Sequence, residues 1–175
     1  MAKRFPKYET GRREPDLIVS APEILYYSPS TIDNLFSKIF NLIGFIFPKN
    51  PVHHQESDLI PIIRKGLSKK NLDHLMNMTG LDLGSMASIL HISERTFHRY
   101  THATTLNPEI SERIFEIARL YTKGEEAFGD LASFKIWMSY PSKALGSKPP
   151  KELLDTSLGI KLIEDELVRI EQGIY

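Results

Sequence analysis

From Asp58 onward, apolar side chains recur at helical spacing, and no long stretch alternates apolar and polar residues as a half-buried strand would. A chain patterned this way buries its apolar stripes helix against helix, so the predicted fold class is all-α. The patterns run over about 58–65, 68–78, 82–90, 93–102, 107–122, 125–139, 150–154 and 156–172, separated by short breaks. Only Leu17–Val19 reads as a short extended piece, and there are no repeats at solenoid periods and no low-complexity tract.

The N-terminal part reads differently. Pro6, Pro15, Pro22 and Pro29 lie too close together for a long helix, so residues 1–30 read as an extended or partly disordered arm. Ser30 or Thr31 is placed to cap a helix reaching Phe47, with Ile32, Leu35, Phe36, Ile39, Phe40, Ile43 and Phe47 on one stripe. Pro48 to Pro51 is expected to end it, and His53 to Ser57 to form a linker. That stripe suits packing on the core or on a second copy of the chain. It suits a membrane surface less well, because Lys38 is its only basic residue.

Charge restricts the partners. Twenty-two basic and twenty-two acidic side chains give a formal charge of +0, so any contact with nucleic acid has to come from a local patch. The first residues are basic (Lys3, Arg4, Lys7, Arg12 and Arg13 against Glu9). Residues 151–175 carry three basic and six acidic side chains, which points to two different kinds of partner. The absence of cysteine excludes disulfides and thiolate metal sites and fits a reducing cytosol. The most apolar run, Ile39 to Phe47, is too short to span a bilayer and too far from Met1 for a signal peptide. The expected location is cytoplasmic, with no membrane partner.

Asp82 to Tyr100 reads as a helix-turn-helix. Ala87 is small where two crossing helices approach, Leu90, Ile92 and Phe97 are apolar anchors, and Ser93 is a good N-cap for the second helix. The turn needs a left-handed residue, and His91 stands there in place of glycine. Helical spacing leaves Arg95, His98, Arg99 and His102 outward, with Phe97 and Tyr100 more inward. Such side chains on a recognition helix suit phosphates and guanine edges in the major groove. Together with Thr96 they are the expected DNA-binding residues. The alternative is a helical hairpin kept for packing, with its DNA function reduced or lost.

No other constellation carries chemistry. His98 and His102, four apart on one helix face, have no third ligand nearby, so no metal is expected. His53, His54, Gln55, Glu56 and Asp58 cluster in a linker, where solvation is the default. There is no glycine-rich phosphate loop and no recognisable nucleophile motif, so no catalytic residue, cofactor or enzymatic activity is expected.

The last third completes the pattern. Trp137 suits a core anchor at a helix end. Pro149-Pro150 with Glu152 suits a helix start, and Asp155 or Thr156 suits the cap of a last helix. Ile160, Ile163, Leu167 and Ile170 line a stripe along that helix. Gly173 then frees Ile174-Tyr175, either a loose tail or an apolar, aromatic contact carrying the chain's carboxylate. A DNA reader followed by a small helical module suggests a regulator that acts by binding.

From Ile62 to Tyr175, roughly two-thirds of the chain, the sequence resembles the Xre/MbcA/ParS-type antitoxins of RES–Xre type II toxin–antitoxin systems. The resemblance lies in Arg64-Lys65-Gly66-Leu67, Arg95-Thr96-Phe97-His98-Arg99, Ser111-Glu112-Arg113 with Ala118-Arg119, and Ala127-Phe128-Gly129-Asp130. It continues through Trp137–Gly159 and closes with Leu167 to Tyr175. Two positions depart from the family. Its recognition helix tends to be more basic than His98-Arg99-Tyr100, and Ser147 replaces the second glycine of a turn.

The resemblance implies an Xre-like helix-turn-helix domain followed by a small helical toxin-binding domain. The boundaries implied are 1–56 for arm, apolar helix and linker, 57–123 for the first domain and 124–175 for the second. It implies a cytoplasmic homodimer that binds a cognate RES-domain toxin, a NAD-consuming protein with an ADP-ribosyltransferase-like fold. The C-terminal segment would occlude the toxin's active site, through Arg169, Glu171, Gly173, Ile174 and Tyr175. The helix-turn-helix would bind operator DNA of its own promoter and repress it. The alternatives are a plain helix-turn-helix transcription regulator that uses its C-terminal domain only to dimerise, and a protein-binding module with a vestigial helix-turn-helix.

Overall fold

The computed structural model describes residues 29–45 and 56–173. The expected arm with its basic residues, the Leu17–Val19 piece, Phe47 and the prolines after it, and the first linker residues lie outside the described residues, as do Ile174 and Tyr175. Among the described residues the fold is all-α. The helices are α1 (Pro29–Leu42), α2 (Leu59–Lys65), α3 (Lys69–Thr79), α4 (Leu83–Ile89), α5 (Glu94–Arg99), α6 (Pro108–Phe128), α7 (Leu131–Ser139) and α8 (Ser157–Glu171), with short 3-10 turns at Glu56–Asp58, Lys143–Leu145 and Pro150–Leu153. The β structure described is two isolated bridges, Ser68 to Thr105 and Ser142 to Lys148. No described helix is long and apolar enough to cross a membrane.

Local chemistry sets most helix starts. A side-chain oxygen accepts from a backbone N–H at Ser68, Asp82, Ser93, Asn107, Asp130 and Thr156, which satisfies groups that a helix start leaves unpaired. The caps expected at Ser93 and Thr156 are both formed. The start of α1 differs from expectation: it begins at Pro29, so Ser30 and Thr31 fall inside its first turn. Proline tolerates that position because its missing N–H would be unpaired there anyway.

Helix α1 also ends earlier than its apolar stripe suggests, at Leu42 rather than Phe47. The Phe45 N–H donates to the Phe40 carbonyl at 2.9 Å and the Gly44 N–H to the Asn41 carbonyl at 3.1 Å, with Gly44 at φ 60, which is a Schellman stop. The rings of Phe40 and Phe45 meet at 5.6 Å across it. Side chains of α3 hold the stop in place: Asn71 Nδ2 donates to the Ile43 carbonyl at 3.0 Å, and His74 Nε2 lies 3.0 Å from the Asn41 carbonyl oxygen. A Cβ on Gly44 would stand 2.8 Å from the His74 ring.

Helix α6 is the central column and touches α1, α2, α3, α7 and α8. Its Ile114, Ile117, Ala118, Leu120 and Tyr121 are buried in one continuous core that extends from Phe36 and Ile39 to Ile163 and Leu167. The break expected between 122 and 125 is absent. Helix α6 runs on to Phe128 and stops at Gly129, which is left-handed at φ 83. The reason lies in packing. Gly124 is kept in the helix because the Phe134 ring sits where its Cβ would be, so this glycine serves a close approach rather than a chain reversal.

Trp137 is half-buried rather than fully enclosed and packs at 5.4 Å from Phe128 and 5.8 Å from Phe134. The Pro149-Pro150 start yields only a 3-10 turn. On α8, Ile160, Ile163 and Leu167 are buried and Ile170 is half-buried, as the stripe predicted.

Candidate functional site

Two surfaces carry the expected site residues. The first is built on α4 and α5. The turn between them closes through the His91 N–H to the Ser88 carbonyl (3.1 Å) and the Ile92 N–H to the Ala87 carbonyl (3.0 Å), with His91 at φ 53. The left-handed turn read from the sequence is thus carried by histidine, a residue that tolerates it better than most. Ala87, Leu90 and Phe97 are buried and Ile92 is half-buried, as anchors of such a motif must be.

Arg95, His98 and Arg99 are exposed on α5. Thr96 is half-buried, with its hydroxyl 2.9 Å from the Ser93 hydroxyl at the cap. His102 does not share the helix face expected of it. Helix α5 stops at Arg99, and Tyr100 turns extended (φ −74, ψ 123) and packs against the core. Thr101 and Thr104 then close a turn, with the Thr104 N–H donating to the Thr101 carbonyl at 2.8 Å. From there Thr104 and Leu106 pair with the α2–α3 connection, through Lys69 N–H to Thr104 carbonyl (2.9 Å) and Leu106 N–H to Leu67 carbonyl (2.8 Å). This docking pulls the chain out of the helix before His102, so His98 and His102 are not one helical turn apart on a common face.

The side chains beneath α5 were not singled out in the sequence. Lys69 is buried, stands 4.3 Å from the centre of the Phe97 ring and pairs with Asp73. Asp73 in turn lies 3.3 Å from Nδ1 of the exposed His102. The i,i+4 spacing of Lys69 and Asp73 was the only local signal; the ring above them is 28 residues away (97 minus 69).

Two acidic groups border the same surface. Asp82 accepts from the Ser85 N–H at 2.9 Å and from its hydroxyl at 3.0 Å, and these bonds hold its carboxyl below the usual value of 3.8. Both Asp82 and Glu94 place a carboxylate oxygen within 3.5 Å of where a Cβ on Gly84 would stand. The N-terminus of α4 is therefore occupied by the protein's own carboxylate. The arginines exposed on α5 are Arg95 and Arg99.

The second surface is the C-terminal part. Its bend at Gly146 (φ 71) and Ser147 (φ 60) has two successive left-handed residues, so the serine occupies a glycine-like backbone conformation. Helix α8 lies on α6 through its buried stripe, and Lys123 Nζ and Arg119 Nη2 reach Glu164 Oε1 at 3.0 and 3.7 Å. At its end Arg169, Glu171 and Gly173 are exposed, with Arg169 Nη1 3.4 Å from Glu166 Oε2.

This arrangement is matched by known families. Residues 58–119 match the antitoxin Xre-like helix-turn-helix domain, and residues 123–173 match the antitoxin Xre/MbcA/ParS C-terminal toxin-binding domain. Antitoxin Xre of Yersinia enterocolitica is 30% identical over 119 residues, covering 67% of this chain and 80% of the relative. The chain belongs to the Xre antitoxin family. An antitoxin Xre of Photorhabdus laumondii is 28% identical over 130 residues (73% of this chain, 85% of the relative). A Sphingobium relative named Prs ADP-ribosylating antitoxin is 27% identical over 128 residues (67% and 80%).

The family is one of antitoxins, not of enzymes, and its members join a helix-turn-helix domain to a toxin-binding one. In this antitoxin the two matches change over within α6, between residues 119 and 123. Arg95, His98 and Arg99 fall in the first match, and Arg169, Glu171 and Gly173 in the second.

Proposed function

We propose that this antitoxin neutralises a RES-domain, NAD-consuming toxin by placing its C-terminal segment in the toxin's active site, and that it represses its own operon through the helix-turn-helix. The observation that carries the first half is the course of α8. The helix is anchored on α6 by Ile160, Ile163 and Leu167, yet its last residues, Arg169, Glu171 and Gly173, are exposed within the part that matches a toxin-binding domain. Ile174 and Tyr175 follow Gly173 in the sequence. A pocket that holds NAD offers basic groups for a pyrophosphate and flat walls for rings, which a carboxylate and a tyrosine can fill. The name of the Sphingobium relative refers to ADP-ribosylation, a reaction that draws on NAD, and supports this class of partner.

The second half rests on exposed Arg95, His98 and Arg99 over a buried Phe97 anchor. Thr96, at the helix start, and His102, in the following loop, complete the proposed DNA-contacting set. A homodimer would present two such helices to half-sites about one DNA turn apart, or a multiple of that. Asp82 and Glu94 lie at the starts of α4 and α5, so phosphate contacts on this surface fall to Arg95 and Arg99.

The test is co-production with the product of the neighbouring gene, followed by pull-down and an assay of NAD consumption, comparing the full chain with one ending at Glu171. The full chain is expected to bind and silence, and the shortened chain to bind without silencing. Equal silencing by both would refute occlusion by the tail. If neither chain binds, neutralisation of this partner fails and a plain transcription regulator becomes the better account.

A further inference from the structure

A cleft of about 230 Å³ opens where the two matched parts meet. The end of α3 and the start of α4 line one side of it, α7 and Lys151 line the other, and Tyr121 of α6 lies between them. Leu81 and Ser85 belong to residues 58–119, Met138 and Lys151 to residues 123–173, and Tyr121 falls at the changeover. None of the expected DNA-binding or toxin-binding residues lines this cleft.

Its hydrogen bonds are spent unevenly. Asp82 accepts from the Ser85 N–H and hydroxyl, the Thr79 hydroxyl donates to the Leu75 carbonyl at 2.8 Å, and the Ser139 hydroxyl donates to the Lys135 carbonyl at 3.0 Å. Among the described residues Lys135 Nζ has one partner, the Met78 carbonyl at 3.3 Å, which leaves two of its three N–H groups, and Lys151 has none. Tyr121 is the least ordinary of the set. It is 1% exposed and meets Phe134 edge-on at 5.2 Å, yet its hydroxyl has no hydrogen-bond partner among the described residues. A buried tyrosine hydroxyl usually finds one. Among the described residues the buried polar side-chain atom sealed from solvent without a partner is Arg119 Nε, so the Tyr121 hydroxyl is reached through the cleft. Burial pushes this phenol up from its usual value, so it stays protonated and offers a hydrogen.

We propose that this cleft binds a small organic anion, a carboxylate or phosphate on an apolar body about the size of a benzene ring. The groups left over are donors: the Tyr121 hydroxyl, Lys135 and Lys151. Two ammonium groups stand against one carboxylate already engaged by Ser85, and bonds from charged donors to an anion are the strong ones. Leu81 and Met138, both buried, supply apolar wall. A cavity of about 150 Å³ takes a benzene ring, so this cleft has room for a ring and its head group. The adjoining cleft shares Ser85 and Lys151 and adds Glu152 and Asp155, which repel an anion, so the head group belongs on the Tyr121 and Lys135 side. A ligand held there touches both matched parts at once and ties one to the other. The site stands independently of the toxin and operator readings.

Isothermal titration calorimetry of the full chain with benzoate, phenyl phosphate and the neutral benzyl alcohol tests the site. At least one anion is expected to bind with a dissociation constant of about 1 mM or below, and benzyl alcohol at least about tenfold more weakly. Binding of benzoate alone marks a carboxylate site, and of phenyl phosphate alone a phosphate site. Tyr121→Phe keeps the ring and removes only the unpaired hydroxyl. Its thermal midpoint without ligand should match that of the native chain, while affinity for the anion falls about fivefold or more. Lys151→Gln, at an exposed side chain, should weaken the anion by a similar factor.

Absence of binding by both anions overturns the site. So does benzyl alcohol binding as tightly as the anions, since the cleft would then be an apolar hollow with no use for its donors. Anion affinity unchanged in both variants also overturns it, because the anion would sit elsewhere. If Tyr121→Phe loses stability, Lys151→Gln decides alone: weaker binding at an unaltered midpoint supports the site, and unchanged binding overturns it.

Discussion

Replacing Gly124 with alanine sets two effects of opposite sign against each other. Glycine inside a helix costs about 1 kcal/mol relative to alanine, so propensity alone favours the change. A Cβ there would stand 2.4 Å from the Phe134 ring. That ring is held by Tyr121 at 5.2 Å, Phe128 at 5.8 Å and Trp137 at 5.8 Å, and has little room to retreat. Overpacking of this kind costs about 1–3 kcal/mol, and here the clash is deep. Gly124→Ala is therefore expected to lower unfolding free energy by about 1–2 kcal/mol in urea titration; a gain in stability would show that the ring yields. In sequence this glycine read as a helix break, because nothing local says that a ring ten positions later occupies its missing side chain.

At the scale of the element, the N-caps and the short recognition helix each carry a consequence. The bonds from Ser85 lower the Asp82 carboxyl below 3.8, its ordinary value in an unfolded chain. A lowered carboxyl contributes stability that is fully present above pH 3.8 and is lost as the pH falls through the folded value. Asp82→Ala should cost about 1 kcal/mol near neutrality and Asp82→Asn much less, since asparagine caps as well. The gap between the native chain and the alanine variant should close as denaturation curves are repeated below pH 3.8. A gap independent of pH would remove the carboxylate from the account.

On α5, only residues up to Arg99 are helical, so the arginines and His102 should behave differently on DNA. Arg95→Ala/Arg99→Ala is expected to reduce the slope of log affinity against log salt by about 2, one phosphate contact for each side chain. His102 is already turned toward Asp73, so His102→Ala should leave the slope nearly unchanged. Fluorescence anisotropy on the promoter fragment reads both, and a slope that ignores the arginines would show that α5 is not the reader.

For the whole molecule, the continuity of α6 matters most. The two family matches change over inside this helix, and one buried cluster reaches from Phe36 to Leu167. Cutting at the changeover would sever α6 and strip Phe134 and Met138, both fully buried, from its surface. The two parts are expected to unfold together in urea. Far-ultraviolet ellipticity, which follows every helix, should coincide with the fluorescence of Trp137, the sole tryptophan, which lies in the C-terminal part. Separated transitions would show that the matched parts are independent folding units despite the shared helix.

Features decided by a few neighbouring residues were legible in the sequence. Ser93 and Thr156 cap because a short side-chain oxygen reaches the N–H three positions on, and His91 turns left-handed within a six-residue hydrogen-bonded loop. The α8 stripe follows from helical spacing alone, and the family resemblance followed from motifs in order. Tertiary contacts set where α1 and α5 stop, carry α6 past Gly124 and bring Lys69 against Phe97. Each of these depends on groups brought together from distant positions: Asn71 on the end of α1, Leu67 pairing with Leu106, Phe134 on Gly124. Helical propensity differences of a few tenths of a kcal/mol per residue do not withstand such contacts, which are worth about 1 kcal/mol or more apiece.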